Sequence, residues 1–467
     1  MSNGLARKKN IEDMIAASSS GKGLKRELGA FDLTMLGIGA IIGTGIFVLT
    51  GTGALTAGPG LMLSFVIAGL ACLFAALAYA EFASTVPVSG SVYTYTYATL
   101  GEFLAFIIGW DLILEYLLAV SAVSVGWSGY FQSFLSGIGI DLPTALTAAP
   151  GSVEGTTTFF NLPAFIIIMA ITLLISLGVK ESKRVNNIMV ILKVLVVILF
   201  IAVACFYVKP SNWTPFAPFG FSGIFQAAAL VFFAFIGFDA VASAAEETKN
   251  PKKNLPRGIM ASLFVCTILY VIVTAIMTGV VPFMKFEGAI DHPISLVLQM
   301  SGQNWVAGII DVGAVLGMTT VMLVMLYGQT RVMFSMSRDG LMPAKLSKVH
   351  PKYKTPFFGT WFFGTVAALV GALIPLDELA KLVNIGTLAA FILISIAVLV
   401  LRKTRPDMPR GFRCPAVPLV PILAILFCGF LISQLGSQTF IRFLIWLAIG
   451  VVIYFAYSRR NSKLNEK

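Results

Sequence analysis

Two glycine-containing stretches inside long apolar runs have the residue types expected of a binding site for a small zwitterion. The first, Gly43-Thr44-Gly45, lies near the middle of the apolar run 31–55. Glycine in a helix interior costs about 1 kcal/mol relative to alanine, so this glycine density predicts a helix interrupted at mid-membrane. Irregular backbone at that depth is tolerated where it lines a cavity. The N–H groups freed at the start of the second half-helix favour a carboxylate.

The second stretch, at 231–240, contains Gly237 in a comparable position. We expect unpaired carbonyl groups beside both interruptions, and carbonyl oxygens suit an ammonium group. The predicted carbonyl positions are Ile41, Ile42, Phe233, Ala234 and Ile236. Together the two interruptions predict a site for an α-amino acid. The alternative interpretation is that the glycines only allow helices to pack closely.

Lys193 is a charged residue inside the apolar run 186–208. A charged side chain deep in a bilayer costs at least about 2.5 kcal/mol on insertion scales, so such a residue usually has a function. We predict that Lys193 loses and regains a proton during a cycle, or stands in place of a bound sodium ion. The alternative is that its long side chain extends to the cytoplasmic interface.

Four acidic residues also lie inside apolar runs. Asp111 and Glu115 are four residues apart and share one helix face. Glu115 is a candidate for contact with the substrate side chain or for a proton path, and Asp111 for a structural hydrogen-bond acceptor. Asp239 is predicted to cap the half-helix after the second interruption. Asp311 receives no predicted role.

The large side chains of Phe233 and Met322 are candidates for contacts with a ligand. Phe233 and Phe235 flank the predicted second interruption, and Phe233 is a candidate gate that closes over the ligand. Met322 is a candidate for the wall of a side-chain pocket. Ordinary core packing is the alternative for each of these residues.

The composition is that of a helical membrane protein. Of 467 residues, 57% are hydrophobic and 12% are charged, and the mean hydropathy is +0.89. Soluble domains contain about 25% charged residues. Apolar runs long enough to cross a bilayer recur along the chain and predict an all-α polytopic protein with twelve transmembrane helices. The predicted spans are 31–55, 60–84, 103–138, 162–179, 186–208, 222–246, 257–281, 304–335, 357–374, 380–401, 417–434 and 438–457.

The net charge of +11 is distributed in the manner of a membrane protein and not of a nucleic-acid-binding protein. Most of the 33 Lys and Arg residues fall in the loops on one side of the predicted spans, which places both termini in the cytoplasm. These basic loops are expected to contact membrane lipids. Residues 1–30 are polar and lack the apolar core of a signal peptide. The predicted location is the plasma membrane.

The spacing of the two interruptions predicts an internal repeat. Five spans separate Gly43 from Gly237, so the second unit would enter the membrane from the opposite face. The predicted organisation is a cytoplasmic N-terminal segment at 1–30, a first inverted repeat at 31–208 and a second at 222–401. A basic linker with spans 11 and 12 follows at 402–457, and a cytoplasmic tail at 458–467.

Residue patterns typical of an enzyme or a metalloprotein do not occur in the sequence. It contains neither a GxxxxGK[ST] phosphate-binding motif nor HExxH, and its two histidines, His292 and His350, fall in loops on opposite sides. We therefore expect no catalytic activity, cofactor or metal. An associated small membrane subunit and the oligomeric state stay open.

Beyond these features, the chain resembles bacterial members of the cationic amino acid transporter family in the amino acid–polyamine–organocation superfamily. The similarity covers nearly the whole chain. It is carried by Glu27-Leu28-Gly29-Ala30-Phe31-Asp32, Ile38 to Phe47, Tyr79-Ala80-Glu81-Phe82, Pro87-Val88-Ser89-Gly90-Ser91, Phe235-Ile236-Gly237-Phe238-Asp239, Tyr327-Gly328-Gln329-Thr330-Arg331 and Ser337-Arg338-Asp339-Gly340.

The resemblance implies a LeuT-type fold that works by alternating access. It implies that the substrate carboxylate meets Thr44 and Gly45, that the amine meets carbonyls at Ile41, Phe233 and Ile236, and that Phe233 is the aromatic gate. It further implies that Lys193 occupies the place of a sodium ion. The expected function is proton-coupled import of L-amino acids. An exchanger without net proton flow, or a nutrient sensor that does not transport, are the alternatives.

Overall fold

The computed structural model describes residues 7–11, 27–86, 91–153, 155–178 and 183–465. Within these ranges the regular structure is helical, and the only β feature is an isolated parallel bridge between Leu28 and Thr248. The motif at 87–90, most of the predicted segment 1–30 and the last two residues of the predicted tail lie outside the described residues.

The helices of the described residues alternate between long apolar rods and short connecting pieces. In chain order they are α1 (Ala30–Ile41), α2 (Thr44–Phe47), α3 (Leu49–Ala57), α4 (Leu61–Thr85), α5 (Ser91–Thr99), α6 (Glu102–Gly137), α7 (Leu162–Ser176), α8 (Lys183–Ala204), α9 (Gly220–Val231), α10 (Ala240–Ser243), α11 (Pro251–Val280), α12 (Pro293–Met300), α13 (Asn304–Arg338), α14 (Phe357–Leu373), α15 (Leu376–Thr404), α16 (Leu419–Gln434), α17 (Ser437–Ile453) and α18 (Arg459–Asn461).

Eight helical segments in the described part of the chain are long and apolar enough to cross a membrane, and α1, α7, α14 and α16 are shorter apolar helices. Large apolar side chains face outward along these helices, among them Leu195, Phe264 and Leu426. Such side chains would be unfavourable in water but match hydrocarbon. The structure therefore supports a polytopic helical membrane protein, and the number of twelve crossings stays a prediction.

The first predicted interruption occurs between α1 and α2. Ile42 has an extended backbone (φ −74°, ψ 100°), and Gly43 follows with φ −156° and ψ −144°. Helix resumes at Thr44, and a kink at Val48 separates α2 from α3. The predicted break at Gly43-Thr44-Gly45 is thus confirmed at its first residue.

The second interruption lies within the predicted stretch 231–240, at its glycine. Phe232–Phe235 forms a 3-10 turn that continues α9. The regular helix ends only at Ile236, which is extended (ψ 134°), and at Gly237, whose φ of +118° is rarely adopted by residues with a side chain. Phe233 and Phe235 therefore precede the interruption instead of flanking it.

The segments that enter α1 and leave α10 are joined by backbone hydrogen bonds. The N–H groups of Glu27 and Leu28 donate to the Glu247 carbonyl at 2.9 and 3.0 Å, and Lys249 N–H donates to Leu28 at 2.8 Å. This pairing holds together the ends of α1 and α10 that lie farthest from the two interruptions.

Glu81, at the end of α4, is a buried carboxylate with several donors from a distant part of the chain. Arg402 donates through Nε at 2.8 Å and Nη2 at 2.7 Å, Arg410 Nε donates at 3.1 Å, and the backbone N–H of Cys414 donates at 2.7 Å. Burial, with Glu81 nearby, raises the pKa of the Cys414 thiol to about 12. Glu81 thereby fixes the linker at 405–418 onto α4 and α15.

Glu102, the first residue of α6, accepts hydrogen bonds from both ends of the described chain. Arg7 donates to its carboxylate at 3.2 Å, Tyr97 at 3.0 Å and Tyr454 at 3.1 Å, and Ser462 donates as well. Glu102 is itself fully buried. Burial and the neighbouring carboxylate raise the pKa of the Tyr97 phenol, so that it remains a donor.

Asp339, just after α13, completes this arrangement. Its carboxylate accepts from Lys9 at 2.6 Å and from Tyr93 at 2.7 Å, and its carbonyl accepts from Lys463 N–H at 3.1 Å. We call Glu102 and Asp339, with the segments 7–9 and 462–463 that they bind, the carboxylate hub.

Replacing Glu81 by glutamine removes the negative charge that Arg402 and Arg410 share. We expect the free energy of unfolding to fall by about 3 kcal/mol, since breaking a buried ion pair costs about 3–5 kcal/mol. The measurement is the melting temperature of the purified protein in detergent. The matched control is Glu378→Gln, because Glu378 pairs with Arg442 at the surface, where a pair contributes at most about 1 kcal/mol. Equal melting temperatures for the two variants would contradict the assignment.

Candidate functional site

The two interruptions lie directly against each other in the interior. A Cβ atom on Gly45 would lie only 2.2 Å from the Ala234 Cα, and one on Gly237 would lie 2.9 Å from the Ala40 Cβ. Each interruption therefore places a glycine against an alanine of the other. Backbone from both breaks reaches one small region because no side chain separates them at these two crossings.

A tyrosine hydroxyl links the two interruptions. Tyr270 Oη in α11 lies 2.9 Å from the carbonyl oxygens of both Ile41 and Ala234. Its ring is fully buried and packs edge-on against Phe65 and Phe235. Sequence analysis missed Tyr270, since it is one of 12 tyrosines and its only signal is a hydroxyl in the middle of an apolar run.

Between the interruptions, α6 and α13 lies a hollow with about 290 Å³ of space not filled by atoms. Six predicted site residues line it: Ile41, Gly43, Thr44, Gly45, Phe233 and Ile236. The sequence analysis did not identify the other lining residues, which are Ala40, Ala119, Val123, Val321 and Met325. Only about 20 Å³ of this space is open to the centre of a water-sized sphere, which is room for about one water molecule. The hollow must therefore widen before it can hold a larger ligand. The structure thus brings most of the predicted residues together around one cavity.

One pole of the hollow is the start of α2. The first N–H groups of a helix have no acceptor within the helix, and Gly43 in the N-cap position offers no side-chain acceptor. The Thr44 hydroxyl turns toward the neighbouring helices, where the Val123 carbonyl lies at 3.5 Å and the Met318 sulfur at 3.2 Å. This pole can therefore offer main-chain donors to an anionic group.

Four predicted binding residues do not line the hollow, and Ile42 is one of them. Ala234 lies behind it, against Gly45. Met322 is fully buried, but Val321 and Met325, four residues apart on one face of α13, contribute the wall instead. Glu115 is buried one helical turn from the lining residue Ala119, on the same face of α6.

The acidic residues near Glu115 differ from their predicted roles. Both carboxyl oxygens of Asp111 are buried without a hydrogen-bond partner in the described part of the chain, so the predicted acceptor role has no donor. Asp239 occupies the N-cap position of α10, as predicted, but its side chain makes no capping hydrogen bond. Backbone N–H groups of Gly237 and Ala240 do lie near its carboxyl group.

Lys193 is buried in α8 with its ammonium group directed into the protein. Its Nζ donates to the Gly39 carbonyl in α1 at 2.7 Å, and its aliphatic stem packs against Gly317 of α13. Only 2% of the residue is exposed. The structure therefore places the charge against α1, close to the first interruption.

No group of three or more His, Cys, Asp or Glu residues suited to a metal ion occurs among the described residues. The described site is thus composed of main-chain dipoles and apolar walls, with one lysine and several acidic residues behind it.

The chain is similar to known transporters over nearly its whole length. A family model described as amino acid permease matches residues 28–456. The branched-chain amino acid permease BcaP of Bacillus subtilis (strain 168) is 77% identical over 466 residues, covering 100% of both chains. The methylthioribose transporter of the same organism is 56% identical, covering 99% of each chain. The chloroplastic cationic amino acid transporter 9 of Arabidopsis thaliana is 34% identical, covering 95% of this chain and 90% of that protein.

Replacing Gly45 by alanine tests the close packing of the two interruptions. The added methyl group overlaps Ala234, and such overpacking costs about 1–3 kcal/mol, so the melting temperature should fall. Gly308→Ala in α13 is the control because no atom lies within 4 Å of its added Cβ. There alanine should stabilise the helix by up to about 1 kcal/mol. An unchanged or higher melting temperature in Gly45→Ala would show that the breaks do not pack as described.

Proposed function

Because the chain belongs to the amino acid permease family of the amino acid–polyamine–organocation superfamily, we propose that it imports branched-chain L-amino acids across the plasma membrane. In this proposal it is a proton-coupled secondary transporter that works by alternating access. The observation that carries the proposal is the apolar hollow enclosed by the two interruptions.

The walls of the hollow favour an aliphatic side chain. Ala119, Val123, Val321, Met325 and Ile236 contribute only apolar side-chain atoms, and no charged residue lines the hollow in the described part of the chain. A cationic side chain buried there would lose its hydration without gaining a partner, which is strongly unfavourable. The relative named branched-chain amino acid permease supports the same substrate class.

The main chain supplies the two poles of the proposed site. The N–H groups at Thr44 and Gly45 are assigned to the carboxylate. Carbonyls at Ile41, Phe233 and Ile236 are assigned to the ammonium group. The Ile41 carbonyl already accepts from Tyr270, but a carbonyl oxygen has two lone pairs and can accept a second hydrogen bond. Phe233 borders the hollow at the position proposed for the gate.

The proposed substrate preference is tested by competition in proteoliposomes containing only the purified protein. We expect L-isoleucine, L-leucine and L-valine to inhibit uptake of labelled L-isoleucine at concentrations about a hundredfold lower than L-lysine does. Measured transport would also exclude a sensor that does not transport. Equal inhibition by L-lysine would overturn the assignment of the apolar walls.

A second candidate substrate follows from the methylthioribose transporter, which is 56% identical. An uncharged thioether sugar would bring no charge to the two poles, although its hydroxyl groups can hydrogen-bond to them and its methylthio group would fit apolar walls. Adding methylthioribose to the same competition assay separates the candidates. Inhibition by methylthioribose with none by the branched-chain amino acids would favour the second one.

Proton coupling is assigned to Lys193 because of its position. Its ammonium group is buried against the Gly39 carbonyl and its stem against α13. Burial disfavours the charged form of a lysine, so a change in its surroundings can release a proton. Movement of α1 away from α8 would remove the Gly39 acceptor. We propose that proton release from Lys193 accompanies this movement.

Replacing Lys193 by methionine keeps the volume and removes the titrating group. In the unmodified protein, acidifying the outside of proteoliposomes should accelerate net uptake, since a symporter draws protons inward with substrate. In Lys193→Met this stimulation should disappear, while counterflow from preloaded vesicles continues. The control is Lys381→Met, which removes a lysine paired with Asp377 near the surface. If acid stimulation persists in Lys193→Met, the residue does not couple protons.

The same assay tests the alternative of an exchanger without net proton flow. An exchanger would show counterflow with no response to a pH gradient in the unmodified protein.

For the architecture, we propose that 31–208 and 222–401 are inverted repeats and that both termini face the cytoplasm. The two interruptions that meet at Gly45 and Gly237 support the repeat.

A further inference from the structure

A segment between α11 and α13 covers the half of the first broken helix that lies beyond the interruption. It consists of a 3-10 stretch at Phe283–Ala289 and of α12. The 3-10 stretch packs on α3. A Cβ on Gly51 in α3 would lie 3.1 Å from both the Ile290 carbonyl oxygen and the Pro293 Cβ. We call residues 283–300 the outer lid, since the proposed topology places them outside the cell.

Asp311 is the buried carboxylate that holds this lid. It lies on α13 with 2% of the residue exposed. One carboxyl oxygen accepts from the Ser295 hydroxyl of the lid, and the other accepts from the Ser133 hydroxyl of α6 at 2.9 Å. Asp311 therefore joins the lid, α6 and α13 at one point. His292 of the lid lies near enough to act electrostatically on this carboxylate.

Two further contacts connect this point to the proposed substrate site. Asp291 of the lid lies against α6, where a Cβ on Gly129 would be only 2.4 Å from the Asp291 Cβ. One residue further along α6, Tyr130 donates to the Phe47 carbonyl at the end of α2 at 2.6 Å. The lid and α2 thus contact the same part of α6, and α2 carries the N–H groups assigned to the substrate carboxylate.

We propose that Asp311 is a positioning residue that holds the outer lid closed over α3 through Ser295 and Ser133. The inference rests on the proposed transport function, because a lid has a role only if the site opens to the outside. In this arrangement the hydrogen bonds of Asp311 must break before solute can enter from that side. Asp311 does not contact the hollow itself.

The test measures lid opening without any substrate, so its outcome is independent of which solute is carried. Thr50 in α3 is fully buried next to Gly51. A cysteine introduced there (Thr50→Cys) reports exposure to a membrane-impermeant maleimide added outside intact cells. The exposed native Cys205 is first replaced by serine. Cys72, Cys266, Cys414 and Cys428 are buried.

In this background, Ser295→Ala removes the lid's hydrogen bond to Asp311. We expect labelling of the introduced cysteine to become about tenfold faster, the effect of losing one hydrogen bond to a charged group. Ser133→Ala, which removes the bond from α6, should act in the same direction. The matched control is Ser301→Ala, whose hydroxyl donates, among the described residues, to the carbonyl of Val297 in the preceding turn.

Melting temperature and gel filtration identify any variant that fails to fold, and the other serine variant then supplies the test. Faster labelling in Ser295→Ala or Ser133→Ala, with Ser301→Ala unchanged, supports the positioning role. Labelling at the control rate in folded Ser295→Ala and Ser133→Ala would overturn it. Equal acceleration in Ser301→Ala would also overturn it, since that result indicates general loosening of the segment.

Discussion

The structure depends on one close contact, between two helices that stop in the interior of the protein and meet at their broken ends. Peptide groups that leave a helix in hydrocarbon cost several kcal/mol each unless they find partners. The Gly45–Ala234 and Ala40–Gly237 contacts bring both breaks so near that a single hydroxyl, that of Tyr270, reaches carbonyls of each. Backbone groups that would be unfavourable alone are thereby gathered around one hollow, and we propose that their remaining dipoles bind a zwitterion.

Buried charges elsewhere in the chain join elements that are far apart in sequence. Lys193 connects α8 to α1, Asp311 connects α13 to α6 and the outer lid, and Glu81 connects α4 to the linker at 405–418. A charge in such surroundings is stable only while its partners stay in place, so each connection holds in one arrangement and is lost when the elements separate. Lys193 contacts α1, before the first interruption, and the lid that Asp311 holds packs on α3, after it. A cycle that opens the two sides alternately would break these contacts at different times.

The sequence predicted those features that depend on local chemistry. Glycine density indicated the first break at Gly43, and a lysine in an apolar run indicated a buried charge at Lys193. Features that depend on tertiary contacts were not predictable. Gly237 marked the second break within 231–240, but the position of Phe233 and Phe235 before that break depends on how Gly237 packs at φ +118° against Ala40. Val321 and Met325 line the hollow instead of Met322, since the rotation of α13 about its axis is set by packing on α6. Tyr270 and the partners of Asp311 lie on other helices, so no local pattern marks them.

The carboxylate hub has a consequence for how the chain is made. Glu102 is bound by Arg7, which lies 95 residues before it, and by Ser462, which lies 360 residues after it. During translation Arg7 is therefore present from the start, whereas Ser462 and Tyr454 emerge from the ribosome only after the other helices have been delivered to the translocon. Until then Glu102 lacks the hydroxyl groups of Tyr454 and Ser462, and Asp339 lacks the Lys463 N–H. A chain released before α17 would therefore keep buried carboxylates with part of their hydrogen bonds unmade, at a cost of about 1–3 kcal/mol for each unsatisfied group.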